Sequence, residues 1–83
     1  MNCVIYKSNK KTDYYLFVEQ EDNFERVPEA LLQMLGNLEL VMTINLDERQ
    51  KLSQVNSAEV KQLLIEQGYF LQLPAHHYQA GQA

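Results

Sequence analysis

The stretch Glu66-Gln67-Gly68-Tyr69-Phe70-Leu71-Gln72-Leu73-Pro74 decides the fold predicted for this chain of 83 residues. Gly68 is placed to end a helix, and the aromatic and apolar run after it has the character of a strand that Pro74 closes. Large residues stand at neighbouring positions of this run, so protein is expected to cover both faces of the strand. A helix that leads into a strand covered on both faces predicts a layered α/β domain.

Three further runs upstream have the character of strands. Residues 3–6 and 14–18 are β-branched and aromatic, and the polar residues 8–13 between them predict an antiparallel hairpin. Residues 38–44 alternate in character, as a strand with two different faces does. Four apolar side chains of this run are expected on one core-facing side: Leu38, Leu40, Met42 and Ile44.

Two helices are predicted between the strands. Pro28 suits the first turn of a short helix, and Gly36 suits the position just beyond its end. Asn56 or Ser57 is expected to cap the N-terminus of a longer helix that ends at Gly68.

The predicted element order is therefore β-β-α-β-α-β. The order contains two β-α-β units, over residues 14–44 and 38–73, whose default is parallel pairing with a right-handed crossover. Together with the antiparallel hairpin, these units predict a small mixed sheet covered by helices. Residues 1–74 are expected to form a single domain, and residues 75–83, which have no apolar period, a flexible C-terminal tail.

Composition excludes several classes of function. The net charge of −4 argues against DNA binding and against unspecific affinity for nucleic acid, which comes from neutralised phosphates. The apolar runs are too short for a membrane span, which needs about 20 residues. A single cysteine allows no internal disulfide, and the N-terminus shows no signal peptide, so we expect a cytoplasmic protein without membrane contact.

The chain also resembles the YcgL domain family, small proteins of gammaproteobacteria. The resemblance implies an α/β/α sandwich, in agreement with the covered terminal strand. It brings no assigned activity, so it implies no catalytic residue. The stretches that carry it are Cys3–Tyr6, Tyr15–Glu19, Phe24 with Arg26–Glu29, Leu46–Asp47 with Lys51–Leu52, and Glu66–Pro74.

The leading hypothesis for function is a non-enzymatic module that contacts a protein or RNA partner. Lys7, Lys10 and Lys11 lie beside Tyr14 and Tyr15 in the sequence, and cations next to aromatic rings can contact phosphates and stack on bases. One tyrosine is expected to point outward unless helices cover both faces of the sheet. The competing explanation is a packed aromatic residue next to a solubilising loop.

Two other hypotheses remain open. Asp47 follows a strand end, where α/β sheets often bind ligands, so an enzyme of unknown reaction could use Asp47 with Arg49 or Lys51. This hypothesis predicts a pocket near Asp47 and a shifted pKa of its carboxyl group. The competing role for Asp47 is an N-cap of a turn over residues 48–52. The third hypothesis is a homo-oligomer that pairs through an edge strand of the hairpin.

No cofactor or metal site is predicted. Cys3 is expected to be a small core residue, because the histidines that could activate its thiol, His76 and His77, fall in the predicted tail. Those adjacent histidines lack the supporting ligands of a metal site. The acidic residues between positions 19 and 25 are interpreted as a solvated surface, and Arg26 as a surface charge.

Overall fold

The computed structural model of the chain describes residues 1–47 and 56–74. Its elements follow the predicted order β-β-α-β-α-β, which confirms the α/β fold class. Within the described residues, neither helix is long and apolar enough to cross a membrane. The elements are β1 (Asn2–Ser8), β2 (Tyr15–Val18), α1 (Glu29–Leu35), β3 (Leu38–Asn45), α2 (Ser57–Glu66) and β4 (Tyr69–Gln72).

Both helices lie where they were predicted: α1 begins after Pro28 and ends before Gly36, and α2 begins after Asn56 and ends at Glu66, shortly before Gly68. The Asn56 side chain accepts a hydrogen bond of 2.7 Å from the backbone N–H of Ala58, which is the contact expected of an N-cap. Gly36 follows α1 with a φ of +71°, and its N–H donates to the Leu32 carbonyl at 3.0 Å. Glycine adopts such left-handed backbone without steric cost, so it ends the helix cleanly.

The four strands form one sheet in the order β3-β1-β2-β4. Every pairing among the described strands is antiparallel, so the hairpin is confirmed but the parallel pairing expected of a mixed sheet is wrong. β2 and β3 do run in the same direction, because each is antiparallel to β1, but β1 lies between them. β1 already pairs with one edge of β2. After α1 the chain therefore places β3 on the far side of β1.

The two strands of the hairpin lie at the centre of the sheet. β1 pairs with β2 and β3, and β2 pairs with β1 and β4. The hairpin therefore has no open edge, and the hypothesis of a homo-oligomer through a hairpin edge is wrong. Among the described strands, β3 and β4 lie at the two edges of the sheet.

One face of the sheet packs against α1. Successive residues of a strand point to opposite faces, so the even-numbered residues of β1 share this face. We call this cluster the α1-side core. Its buried members are Val4, Tyr6, Leu16, Val18, Val27 and Leu35.

The opposite face of the sheet packs against α2 through a second cluster, the α2-side core. The two clusters have no residue in common, so the sheet lies between two layers of helix. The three layers are those of an α/β/α sandwich. The buried members of the α2-side core are Cys3, Ile5, Phe17, Ile44, Leu46, Val60 and Leu64.

The terminal strand β4 contacts both cores, as the sequence predicts. Tyr69 and Leu71 pack against the α1-side core, whereas Phe70 packs against the α2-side core. The ring of Phe70 lies edge-on to that of Phe17, with centroids 5.5 Å apart and planes at 84°. Both faces of β4 are therefore covered by protein.

β3 departs from the alternation predicted for it. Tyr6 pairs with Leu40 and Ile5 with Met42, so Val41 is the extra residue of a β-bulge. A bulge shifts the alternation by one position, so the residues before and after it do not share one face. Leu38 joins the α1-side core and Ile44 the α2-side core. The single apolar face predicted for β3 is wrong.

Candidate functional site

The loop that carries Lys10 and Lys11 is fixed by Ser8, the last residue of β1. The buried Ser8 hydroxyl accepts hydrogen bonds from the backbone N–H groups of Lys10, at 3.1 Å, and Lys11, at 2.9 Å. The same hydroxyl donates to the Leu35 carbonyl at the end of α1. The loop is thereby tied to the C-terminal end of a helix.

Sequence reasoning missed this role of Ser8. A serine at the start of a polar loop can accept hydrogen bonds from backbone N–H groups two and three residues later, and that pattern could have indicated it. The additional bond from the Asn9 N–H to the Asn37 carbonyl, at 3.1 Å, holds the loop to the segment after α1. The backbone beneath the lysines is therefore well defined.

Lys7, Lys10 and Lys11 form what we call the lysine group. All three side chains are exposed, and none makes an ion pair within the described residues. Lys7 stands on β1 between Tyr15 of β2 and Glu39 of β3 in the pairing register. The lysine group thus offers three solvated ammonium groups within five residues of sequence.

Neither predicted tyrosine points away from the protein. Tyr14 packs against the α1-side core and Tyr15 against the α2-side core, and both are half-buried. Because a helix layer covers each face of the sheet, Tyr15 at the start of β2 and Tyr14 just before it can both be packed. The tyrosines therefore do not form an open stacking platform beside the lysine group.

Asp47 lies in an ion-pair cluster at the end of β3. Its carboxylate accepts a hydrogen bond of 2.7 Å from Lys61 Nζ and pairs with the amino group of Met1. The hydrogen bond from Lys61 is the main cause that lowers the Asp47 pKa from 3.8 to about 2. Arg49 and Lys51, the other members of the predicted site, lie outside the described residues, as does the predicted turn over 48–52.

This arrangement counts against acid–base chemistry at Asp47. A carboxyl group with a lowered pKa is ionised at neutral pH and holds no proton to donate, and its conjugate base is weak. The Asp47 side chain is also 53% exposed, whereas groups tuned for acid–base catalysis are usually enclosed. The observed contacts fit a surface ion pair that links the end of β3 to α2.

Replacing Lys61 by methionine is expected to raise the pKa of Asp47, because it removes the largest cause of the shift. The folded pKa lies below the unfolded value of 3.8, so the ion pairs stabilise the fold above that pH. Their contribution is lost as the pH falls toward 2. The carboxyl carbon shift of Asp47 in an NMR titration measures this pKa. Lys61→Arg keeps the charge and is the matched control, and an unchanged pKa in Lys61→Met would contradict the pairing.

The described residues also form a cleft of about 210 Å³ between the β2–α1 segment and the end of α2. Glu19, Glu25 and Arg26 contribute charged groups to its lining, so part of the acidic run borders a concavity. Neither Asp47 nor the lysine group lines this cleft. The enzyme hypothesis predicts a pocket beside Asp47, and this cleft is not that pocket.

Arg26, interpreted from sequence as a surface charge, contacts the end of α2. Its guanidinium Nη2 donates to the Glu66 carbonyl at 3.1 Å, one of the last carbonyls of the helix, which lack partners within it. Its side chain also lies directly over Gly68, where an added Cβ would come within 2.5 Å of the Arg26 Cβ. The contact joins two segments about 40 residues apart, which local patterns do not reveal.

Cys3 is a core residue, as predicted. It is completely buried in the α2-side core, and burial raises the pKa of its thiol to about 12. A thiol in this state is a poor nucleophile. No group of His, Cys, Asp and Glu side chains suited to a metal ion occurs among the described residues, and His76 and His77 lie outside them.

An antiparallel four-stranded sheet with one helix layer on each face defines the chain as a small α/β/α domain. Its sequence matches the profile of the YcgL domain over residues 3–75. The chain belongs to the YcgL domain family, as the resemblance in its sequence indicates.

Curated relatives carry the same domain in chains of different lengths. Protein YcgL of Salmonella agona is 53% identical over 74 residues, which cover 89% of this chain and 72% of the relative. Protein YcgL of Salmonella newport has the same identity over 74 residues, with 67% of that relative covered. A Nitrosococcus oceani protein named "Putative HAD-like hydrolase" is 52% identical over 77 residues. The match covers 93% of this chain but only 21% of that protein.

Proposed function

We propose that this domain is a non-enzymatic interaction module that binds an acidic protein surface through the lysine group. The observation that supports the proposal is the exposure of three lysines that make no ion pair with any described residue. Lys7 lies near the end of β1, and Lys10 and Lys11 lie on the loop whose backbone Ser8 fixes. A fixed loop loses little conformational entropy on binding, so its charges can contribute to affinity and orientation. The proposal includes a cytoplasmic location, in keeping with the free thiol of Cys3.

A protein partner fits the lysine group better than RNA does. Single-stranded RNA is usually held by open aromatic faces as well as by cations, whereas Tyr14 and Tyr15 are packed against the two cores. The chain has a net charge of −4, so the parts of its surface outside the lysine group repel a phosphate backbone. Carboxylates on a folded protein can meet three ammonium groups without any stacking.

The domain organisation of the Nitrosococcus relative is a second argument for a protein partner. There the matching region occupies about a fifth of a longer chain, so the domain is covalently joined to other protein segments. Domains within one chain contact each other through surfaces that resemble transient protein interfaces. We propose that the domain of this chain contacts its partner in a comparable way.

Replacing Lys7, Lys10 and Lys11 together by alanine should remove the partner recovered with the tagged domain from its native host. The matched control carries Ala30→Glu, Gln33→Glu and Ala58→Glu, three exposed helix positions that give the same change in net charge. Quantitative mass spectrometry and RNA sequencing of the co-purified material separate a protein from an RNA partner.

The proposal requires loss of an acidic protein from the alanine variant and its retention by the charge control. Retention by the alanine variant at wild-type yield would overturn the role of the lysine group. Loss from both variants would mean that net charge, rather than the loop, determines binding. Recovery of RNA instead of protein would replace the partner class. For a purified partner, binding should weaken as salt is raised, because exposed charges are screened.

A further inference from the structure

The cleft between the β2–α1 segment and the end of α2 is lined by charges of opposite sign. Glu19 and Glu25 bring two carboxylates to the lining, and Arg26 brings a guanidinium. Neither carboxylate forms an ion pair with Arg26 or with any other cation among the described residues. Both signs of charge are therefore available to a molecule that enters the cleft.

Arg26 is held in place on one wall of the cleft. Its Nη2 donates to the Glu66 carbonyl at 3.1 Å, and the carbon stem of its side chain lies over Gly68. The other N–H groups of the guanidinium have no hydrogen-bond partner among the described residues. A guanidinium binds a carboxylate through two parallel hydrogen bonds, so Arg26 is suited to a ligand that carries this group.

The wall that carries the two glutamates is held by hydrogen bonds of its own. The hydroxyl of the buried Tyr6 accepts from the Asp22 N–H at 2.7 Å, which ties this segment to the α1-side core. The Asn23 side chain accepts from the Glu25 N–H at 3.2 Å and donates to Gln20 Oε1 at 3.2 Å. A ligand therefore meets a wall whose backbone is already ordered, which lowers the entropic cost of binding.

We propose that this cleft binds a small zwitterion with one ammonium and one carboxylate group, the chemistry of a free α-amino acid. The ligand carboxylate pairs with Arg26, and its ammonium group pairs with Glu19 and Glu25. A ligand with a single charge would meet a like charge in the same lining, and such contacts disfavour binding. The volume of about 210 Å³ lies below the roughly 300–1,000 Å³ of pockets for drug-sized ligands, which favours a molecule of this size. The site is separate from the lysine group, so it does not depend on the function proposed above.

The exposure of the charged groups limits the affinity of the site. The side chains of Glu19, Glu25 and Arg26 are all exposed, and water weakens the ion pairs that such groups form. Leu64 is the one apolar side chain in the lining, so burial of apolar surface adds little. We therefore expect a dissociation constant on the order of 1 mM and an affinity that falls as salt is raised.

An NMR titration of the isotope-labelled chain with L-alanine should shift the backbone amides of cleft residues such as Gln20, Asn23 and Gly68 until the site is saturated. N-acetyl-L-alanine lacks the ammonium group and L-alaninamide lacks the carboxylate, so these analogues also represent the two ends of a peptide. Each analogue should bind roughly tenfold more weakly, because a hydrogen bond to a charged group contributes about that factor. The proposal is overturned by the absence of a saturable shift with L-alanine, or by equal affinity for either analogue.

Two variants assign the two groups of the ligand. Arg26→Gln should lose the preference for L-alanine over L-alaninamide, and Glu19→Gln combined with Glu25→Gln should lose the preference over N-acetyl-L-alanine. The matched control, Glu21→Gln combined with Glu39→Gln, removes the same charge as the glutamate variant at exposed positions outside the cleft and should keep both preferences. The spectra show whether each variant is folded, and the comparison of ligands on the wild-type chain decides the proposal without them. Preferences that persist in folded cleft variants, or that disappear in the control, would contradict the assigned site.

Discussion

Leu16→Ala is expected to destabilise the folded chain by about 2–5 kcal/mol. Leu16 is completely buried in the α1-side core and lies on β2, which has a strand on either side. Truncation removes its packing and leaves a cavity that these neighbours cannot close. A chain of 83 residues has a total stability of roughly 4–12 kcal/mol. The loss is therefore a large fraction of the whole, and urea denaturation followed by circular dichroism measures it.

Leu40→Ala is the matched control for that experiment. The Leu40 side chain is 47% exposed on the bulged edge strand, so its truncation is expected to cost about 0.5 kcal/mol. The alternation of β3 in the sequence predicts a loss as large as that of a core leucine. Equal losses in the two variants would support the alternation and contradict the exposed position of Leu40.

Features of the fold that depend on neighbouring residues could be predicted from the sequence. Asn56 caps α2 through a contact only two residues away, and Gly36 ends α1 through its own backbone conformation. Large residues at adjacent positions of β4 predicted that protein covers both faces of this strand. Burial of Cys3 followed from the general tendency of free cysteines to be core residues.

The order of the strands could not be predicted, because it depends on contacts distant in sequence. A β-α-β pattern favours parallel strands, and β2 and β3 are indeed parallel in direction. Nothing in the pattern states that β1 would lie between them. The bulge at Val41 could not be predicted from the sequence either, because a bulge is defined by its pairing with the partner strand rather than by the residues that form it.

The candidate site was predicted only in part. The exposure of Lys10 follows from its place in a polar loop, but the packing of Tyr14 and Tyr15 depends on which faces the helices cover. The partner of Asp47 was missed because Lys61 lies 14 residues away, on α2. Surface ion pairs of this kind require no recognisable motif, so sequence alone does not indicate them.

Gly68→Ala is expected to destabilise the chain by more than the 1–3 kcal/mol that backbone strain alone produces. Gly68 has a φ of +92°, a conformation that residues with a Cβ rarely adopt. An added Cβ would also lie 2.5 Å from Cβ and 2.6 Å from Cδ of Arg26. These distances are shorter than any ordinary contact, so the β2–α1 segment or the start of β4 must shift. Urea denaturation again gives the change in the free energy of unfolding.

Two controls separate the strain at Gly68 from the steric conflict. Gly36→Ala has a similar left-handed conformation, with φ +71°, but its nearest neighbour is the movable Asn9 side chain at 3.0 Å. We therefore expect a smaller loss there. In an Arg26→Gly background the conflict is gone and only strain remains, so Gly68→Ala should cost less than in the wild type. A double-mutant cycle measures this difference, which for residues in contact is about 0.5–3 kcal/mol. If the cycle shows no coupling, Arg26 does not lie over Gly68 in solution.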